Sequence, residues 1–308
     1  MTALAPALRH RLAAGEPTVL VTVVEAHGST PREAGARMLV TACGTAGTIG
    51  GGRLEWEALA RARALIAAGE ARARLDLPLG PALGQCCGGR VALDFERAGM
   101  PTLARLEDEE AAAAATLARI HVFGAGHVGK ALVRALAPLP FGIVWADPRP
   151  EEFAQERWDG VEIRVTASLG DVVAEAPAGA AFVVLTHSHA LDFEVAEAAL
   201  RRADAAYVGM IGSATKRERF QRWFRARGND ARLLTRFVCP IGTGLGRDKR
   251  PAVIAAMTAR ELLVALAASS RSDTQEENVP APAETRSSRE EPWSSTREPA
   301  LPASSCAA

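Results

Sequence analysis

The chain has few of the features that would place it outside the ordinary intracellular globular class. It has five cysteines in 308 residues, an odd number and widely spread, which is not a disulfide framework. In a reducing compartment, thiols that matter act as ligands or reactive groups. It has no excess charge of either sign, with 36 basic and 36 acidic side chains. A zero balance supplies no global drive toward nucleic acid or an anionic membrane. No apolar run approaches the ~18 residues of a membrane span, and Met1 to Gly15 lacks the charged, apolar, small-residue order of a signal peptide. The expected location is the cytoplasm. Hydrophobic residues, at 48%, suffice for a sizeable core, and the length suggests about two domains.

The clearest pattern lies mid-chain. The apolar run Ile120 to Phe123 enters Gly124-Ala125-Gly126-His127-Val128-Gly129, and Ala131 to Leu136 follows with helical spacing. A second strand-like run, Phe141 to Ala146, ends in Asp147, 18 residues past Gly129. This is the strand, glycine turn, helix, strand, acid order of a Rossmann unit, in which the acid is expected about 20 residues on. Gly124 makes the tight turn, Gly126 lets a pyrophosphate approach the backbone, and Gly129 lets helix and strand pack closely. The helix N-terminus offers unpaired N–H groups to an anion. Asp147 then suits the ribose hydroxyls of NAD.

Upstream, residues 2–14 read as a helix with Leu4, Leu8 and Leu12 on one face, and 18–25 as a buried strand. The strand runs into Ala26-His27-Gly28-Ser29-Thr30-Pro31-Arg32-Glu33, a polar turn at a strand end, where ligands are often met. A strand over 36–41 precedes Gly50-Gly51-Gly52 and a helix over 54–68. Three successive glycines cost backbone entropy, and their place before a helix makes either an anion-receptive turn or a tight packing contact. Residues 71–77 alternate as an edge strand does. Gly84-Gln85-Cys86-Cys87-Gly88-Gly89-Arg90 follows, ahead of a strand over 91–96. Adjacent cysteines do not readily bond each other. On a glycine-flanked turn beside an arginine, the thiolate is favoured, able to ligate a soft metal, carry sulfur or attack an electrophile. Two inert buried cysteines are the plain alternative.

Residues 99–118 read as a connection, with Glu107-Asp108-Glu109-Glu110 as a solvated helix start. Beyond Asp147, strands are expected over 161–165, 181–186 and 205–211 and a helix over 190–202. His187-Ser188-His189 falls at a strand's carboxyl end, where open α/β sheets bind ligands. It reads as substrate contact or helix capping rather than a metal site. Ser213 suits an N-cap, with Lys216 and Arg217 ready for phosphate. Residues 237–246 form a glycine-rich loop before a helix over 252–267, and the Ser/Pro/Glu/Arg-rich stretch 269–308 reads as a disordered tail. The expected architecture is α/β: a smaller α+β domain over 1–98, a linker over 99–118, a Rossmann-like doubly wound parallel sheet over 119–268, and the tail.

In this order the pieces resemble one family, the xanthine dehydrogenase accessory proteins of the XdhC/CoxI type. The matching residues are His27 to Arg32, Gly50 to Gly52 with Glu55, Gln85 to Gly89, Phe123 to Val128, Gly209 to Ser213 with Lys216-Arg217, and Pro240 to Gly242. After Gly242 the chain departs from the pattern: Thr243-Gly244-Leu245-Gly246 stands where many relatives look like Leu-Asp-Ile-Gly.

The resemblance implies an accessory protein without a reaction of its own. Such a protein binds the molybdenum cofactor (molybdopterin, a pterin dithiolene with a phosphate), holds it while a cysteine desulfurase replaces an oxo ligand with sulfido, and passes it to apo-xanthine dehydrogenase. Cys86 or Cys87 would lie beside the molybdenum, flanked by Gln85, Gly88 and Gly89. Gly124, Gly126 and Gly129 would lie near phosphate, and His27, Arg32, His187 and Asp147 complete the candidate set. No nucleic acid or membrane partner is implied, and a homodimer is one admissible assembly. An NAD(P)-dependent oxidoreductase is the rival reading, and a thiol redox sensor built on Cys86 and Cys87 a third.

Overall fold

The computed structural model describes residues 3–79, 89–154, 156, 158, 160–243 and 248–275, with side chains through 267. The expected tail beyond 275 and the stretch Gln85 to Gly88 fall outside the described residues.

The first half is an antiparallel sheet between helices. Its strands are β1 (Val19–His27), β2 (Arg37–Val40), β3 (Thr45–Gly47), β4 (Arg72–Pro78) and β5 (Arg90–Arg97), in the order β3-β2-β1-β5-β4. Because side chains alternate across a strand, Val19, Val21 and Val23 of β1 meet Leu54, Ala58, Ala62 and Leu65 of helix α2 (Gly52–Ala68) on one face. Leu20 and Leu39 meet Leu4 and Leu8 at α1 (Ala5–Ala13) and Leu103 and Leu106 of α3 (Met100–Ala115) on the other. The heptad-like leucines of the first helix and the edge position of 71–77 are as expected.

The acid run is not a helix start. Glu107 to Glu110 sit in the middle of α3, which packs on the sheet rather than spanning open solvent. The carboxylate of Glu110 accepts the N–H groups of Leu4, at 2.6 Å, and Ala5, at 3.1 Å. These are orphan donors of the α1 N-terminus, so the acid serves another helix's dipole rather than its own. Glu107 pairs with Arg9 at 2.7 Å and Glu109 with Arg37. The connection is thus a docked helix.

The second half is a six-stranded parallel sheet of β6 (Ala118–Phe123), β7 (Phe141–Asp147), β8 (Val161–Val165), β9 (Ala181–Val184), β10 (Tyr207–Met210) and β11 (Phe237–Val238). The order β11-β10-β9-β6-β7-β8 is, counted from β6, the 3-2-1-4-5-6 order of doubly wound dinucleotide-binding sheets. Helices α5 (Leu169–Ala174), α6 (His189–Arg201) and α7 (Ala214–Ala226) cover one face. Helices α4 (His127–Leu136) and α8 (Pro251–Gln275) cover the other. Both faces are apolar, which is why these strands read as continuous hydrophobic runs. No helix among the described residues is long and apolar enough to cross a membrane.

One core residue is out of character. His121 of β6 is only 4% exposed, and neither ring nitrogen has a hydrogen-bond partner. Its ring lies 5.4 Å from that of Phe182 and 6.4 Å from that of Phe123. Burial, reinforced by the Arg119 charge, pushes its pKa down to about 4, against ~6.5 unfolded. The unfolded chain therefore binds the extra proton between these values, and stability falls as pH drops from ~6.5 toward 4. The loss attributable to this residue is about 3 kcal/mol. In urea titrations across that window, His121→Phe should flatten the pH dependence by that amount. An unchanged slope would show that His121 is not held neutral.

Candidate functional site

Three stretches singled out by sequence converge at one end of the antiparallel sheet. Strand β1 ends at His27, opposite Arg90 at the start of β5, while Pro78 at the end of β4 pairs with Arg90 from the other side. Gly89 lies against the His27 loop so closely that a Cβ there would sit 2.5 Å from the His27 carbonyl oxygen and 2.7 Å from that of Ser29. Only glycine fits. The N–H of Leu79 donates to the Gly89 carbonyl at 2.6 Å, so the chain leaves and re-enters the sheet beside this loop. Between those two residues lie Gln85, Cys86, Cys87 and Gly88, outside the described residues.

The triple-glycine turn packs against the same loop. Gly50, Gly51 and Gly52 have φ of 125°, 76° and 62°, a left-handed run that side chains resist. A Cβ on Gly50 would lie 2.5 Å from Cβ of Pro31, whereas beside Gly51 the space is open. Gly51 is the N-cap of α2 and supplies no side-chain cap, so the helix N-terminus presents bare N–H groups at this end of the sheet. Glu55 braces the turn, accepting from Thr48 Oγ1 at 2.5 Å and the Ile49 N–H at 3.0 Å. His27 and Arg32 are exposed, with His27 Nε2 3.7 Å from Glu25. Sequence reasoning missed Trp56 in the next turn of α2, which is 64% exposed.

The Rossmann glycines occupy the crevice between β6 and β9, the switch point of strand order. Gly124, at φ 120°, approaches β9 so closely that a Cβ would be 2.2 Å from the Leu185 carbonyl oxygen. A Cβ on Gly129 would be 2.1 Å from the Gly124 carbonyl oxygen, while Gly126 faces open space. Gly126 is the N-cap of α4 and gives it no side-chain cap. Two groups of β7 pin the turn: Trp145 Nε1 donates to the Gly124 carbonyl at 3.0 Å, and Asp147 Oδ2 accepts the Ala125 N–H at 2.7 Å.

The Asp147 carboxylate is wholly buried. Besides Ala125, it accepts from the N–H of Arg149 at 2.9 Å, from Arg149 Nε at 2.9 Å and from Arg149 Nη2 at 2.9 Å. Burial alone would raise its pKa, but the Arg149 guanidinium and the two backbone N–H groups outweigh it and hold the acid below its ordinary value. Four hydrogen bonds use the lone pairs a carboxylate has, so the ribose contact expected of Asp147 has no free acceptor. The acid supports the turn instead.

The His-x-His pair divides. His187 is exposed, two residues past the contact of Leu185 with Gly124, while His189 begins α6. Among the described residues, no group of three His, Cys, Asp or Glu is arranged to hold a metal. Lys216, expected to await phosphate, is spent: its Nζ pairs with the buried carboxylate of Asp192, whose other oxygen accepts the Thr186 N–H at 2.8 Å. Ser213 does cap α7, accepting the Lys216 N–H at 3.3 Å. Of the other cysteines, Cys43 is exposed and Cys239 buried, its thiol pushed up to about 11 by burial.

Residues 11–77 match the family model described as XdhC and CoxI family, and residues 120–262 match the XdhC Rossmann domain, together about two thirds of the chain. The chain belongs to the XdhC and CoxI family. It is 27% identical over 252 residues to the uncharacterized protein YqeB of Escherichia coli (strain K12), covering 80% of this chain and 43% of YqeB. It thus spans less than half the length of that curated relative. Its fold is similar to that of a solved xanthine dehydrogenase from Bacillus halodurans, with a TM-score of 0.66 at 18% identity, over 87% of this chain and 96% of the other.

The two family glycines of the Rossmann turn should separate in their effects. Gly129→Ala drives a methyl into backbone and should cost about 2 kcal/mol or more in urea denaturation. Gly126→Ala, at φ −73° with open space beside it, should change stability by less than about 0.5 kcal/mol. Equal losses from both would contradict the roles assigned here.

Proposed function

We propose that this protein holds the molybdenum cofactor as cargo, keeps it during sulfuration by a cysteine desulfurase, and delivers it to apo-xanthine dehydrogenase. The observation that carries the reading is the meeting of the His27–Arg32 loop, the Gly50–Gly52 turn and Gly89 at one sheet end. All three belong to the motifs by which the chain resembles its family. The chemistry of the cargo suits what is present. On this reading the thiols of Cys86 and Cys87 supply soft donors for a molybdenum centre, and Gln85, Gly88, Gly89, His27 and Arg32 belong to the same candidate set. The α4 N-terminus at Gly126, open to the approach of a backbone-bound anion, suits a phosphate, with Gly124 and Gly129 shaping that turn and His187 kept as a candidate two residues past the Leu185 contact. On this reading residues 1–98 and 119–268 are the two functional halves, joined by the docked helix, and the protein has no reaction of its own.

An NAD(P)-dependent oxidoreductase is the second reading. The strand order and the open flank of Gly126 favour it. The saturated Asp147 carboxylate counts against it, because the dinucleotide's ribose loses its acceptor.

The test is bound molybdenum and pterin per chain in protein purified anaerobically from a cofactor-producing host. Cys86→Ala or Cys87→Ala should lower retained molybdenum by about tenfold, with the fold intact by circular dichroism. Full occupancy in both variants would remove the thiols from the account. Saturable NADH fluorescence, with no molybdenum in the wild type, would establish the second reading in its place.

A further inference from the structure

Strand β8 closes one end of the parallel sheet, and no strand stands beyond it among the described residues. Its sequence is Val161-Glu162-Ile163-Arg164-Val165. The Thr166 N–H donates to the Asp147 carbonyl at 3.3 Å across the ladder to β7. Backbone groups along a strand turn alternately to its two sides, so Glu162 and Arg164 face β7 as Thr166 does. Val161, Ile163 and Val165 then turn theirs outward. The Val161 N–H is taken by the Trp158 carbonyl at 3.3 Å. The N–H groups of Ile163 and Val165, with the carbonyls of Val161 and Ile163, form an open row of the kind that templates another strand.

The side chains say which strand fits. Val161 and Ile163 are half-buried against the core shared with α4, whereas Val165 is 49% exposed. Glu162 and Arg164 project from the opposite face. They pair with each other, and further with Arg119 at 3.2 Å and Glu175 at 3.4 Å respectively. Charges of a single sign would blunt such an edge, but these are of opposite sign and two residues apart. In an antiparallel pair with a two-fold axis at Ile163, residue 161 stands opposite 165, 162 opposite 164, and 163 opposite itself. Valine then meets valine, isoleucine meets isoleucine, and each Glu162 meets an Arg164. The outward backbone groups make the pairs at 163 and at 161 with 165 the hydrogen-bonded ones. The Glu162–Arg164 pairs become the other type, in which side chains stand closest. An axis at Glu162 or at Arg164 would set like charges opposite each other. The other long edge, β4, ends in Pro78, which has no N–H to give.

We propose that two copies of this chain join along β8, antiparallel about Ile163, into one continuous sheet. The present ion pairs of Glu162 and Arg164 are exposed, so exchanging them for pairs across the axis costs little. Val165 of each copy is covered by Val161 of the other. The contact is isologous and uses up the edge of both copies, so it stops at a dimer. Five residues make a short edge, and the association is weak, with Kd about 1–100 μM. This surface goes beyond the cargo reading, and its test involves no cofactor, so either claim can fail without the other.

Sedimentation velocity of the full chain between about 5 and 500 μM tests it. The wild type should pass reversibly from monomer to dimer. Glu162→Arg alone, and Arg164→Glu alone, set like charges opposite each other on both sides of the axis and should each weaken association about tenfold or more. Mixed one to one, the two variants bring two cations opposite two anions, and association should return to within about threefold of the wild type. That recovery also shows that both variants are folded. Asp76→Arg, the same charge reversal on the β4 edge, should stay within about threefold. A chain that remains monomeric throughout would overturn the proposal. So would single variants without effect, a mixture that does not recover, or equal weakening by Asp76→Arg.

Discussion

The glycine turn of the parallel half depends on one buried carboxylate. Asp147 sits at the end of β7 with no solvent exposure, a position that costs several kcal/mol for an unpaired charge. It is tolerated because the Ala125 N–H and three donors of Arg149 surround it. The same bonds fix where the glycine turn stands. With Ala125 held by Asp147 and the Gly124 carbonyl held by Trp145, the turn has little freedom, and the flank of Gly126 stays open toward solvent. On the proposed reading, a turn fixed in this way loses little ordering entropy when a phosphate binds. Arg149 is held further by Glu152 at 3.0 Å, and Glu152 also receives Lys130 at 3.1 Å, so the positive charges near the turn belong to the scaffold.

The antiparallel half solves a different problem with similar means. Its loops carry polar groups, and the described ones are positioned by steric contacts that only glycine permits. Gly89 against His27 and Ser29, and Gly50 against Pro31, bring stretches far apart in the chain to one sheet end. Glu55 keeps the turn attached to the helix it starts, and the exposed ring of Trp56 stands on the same helix. On the opposite face Glu110 ties α1 to α3, so the helix leading into the parallel sheet is packed rather than slack.

Much of this was legible in the sequence, for identifiable reasons. The Rossmann unit could be read because each glycine meets a constraint that no other residue satisfies, and because strands buried on both faces read as apolar runs. The N-terminal motifs could be located but not joined, since the contact of Gly50 with Pro31 leaves no periodic trace. Asp147 was recognisable as an acid at the proper distance. Its occupation by Arg149, two residues on, is a local pairing that the spacing rule does not contain. The bond from the Leu4 N–H to Glu110 spans 106 residues, and that from Lys216 to Asp192 joins two helices. Neither has a signature in a window of sequence, which is why the acid run read as a helix start and Lys216 as a phosphate ligand. Strand β11 and helix α5, of 2 and 6 residues, are too short for periodicity to declare them.

Both sheets carry rigid glycine turns, and the proposed role is to hold a cargo at them. The most direct test of that claim is delivery. Protein isolated with its sulfurated cargo, freed of unbound cofactor by gel filtration, is mixed with apo-xanthine dehydrogenase, and the xanthine-oxidising activity that appears is measured. Activity rising in proportion to the loaded protein, with molybdenum moving from one chain to the other, is what the account predicts. Molybdenum that stays with the accessory protein while the enzyme remains inactive would contradict it.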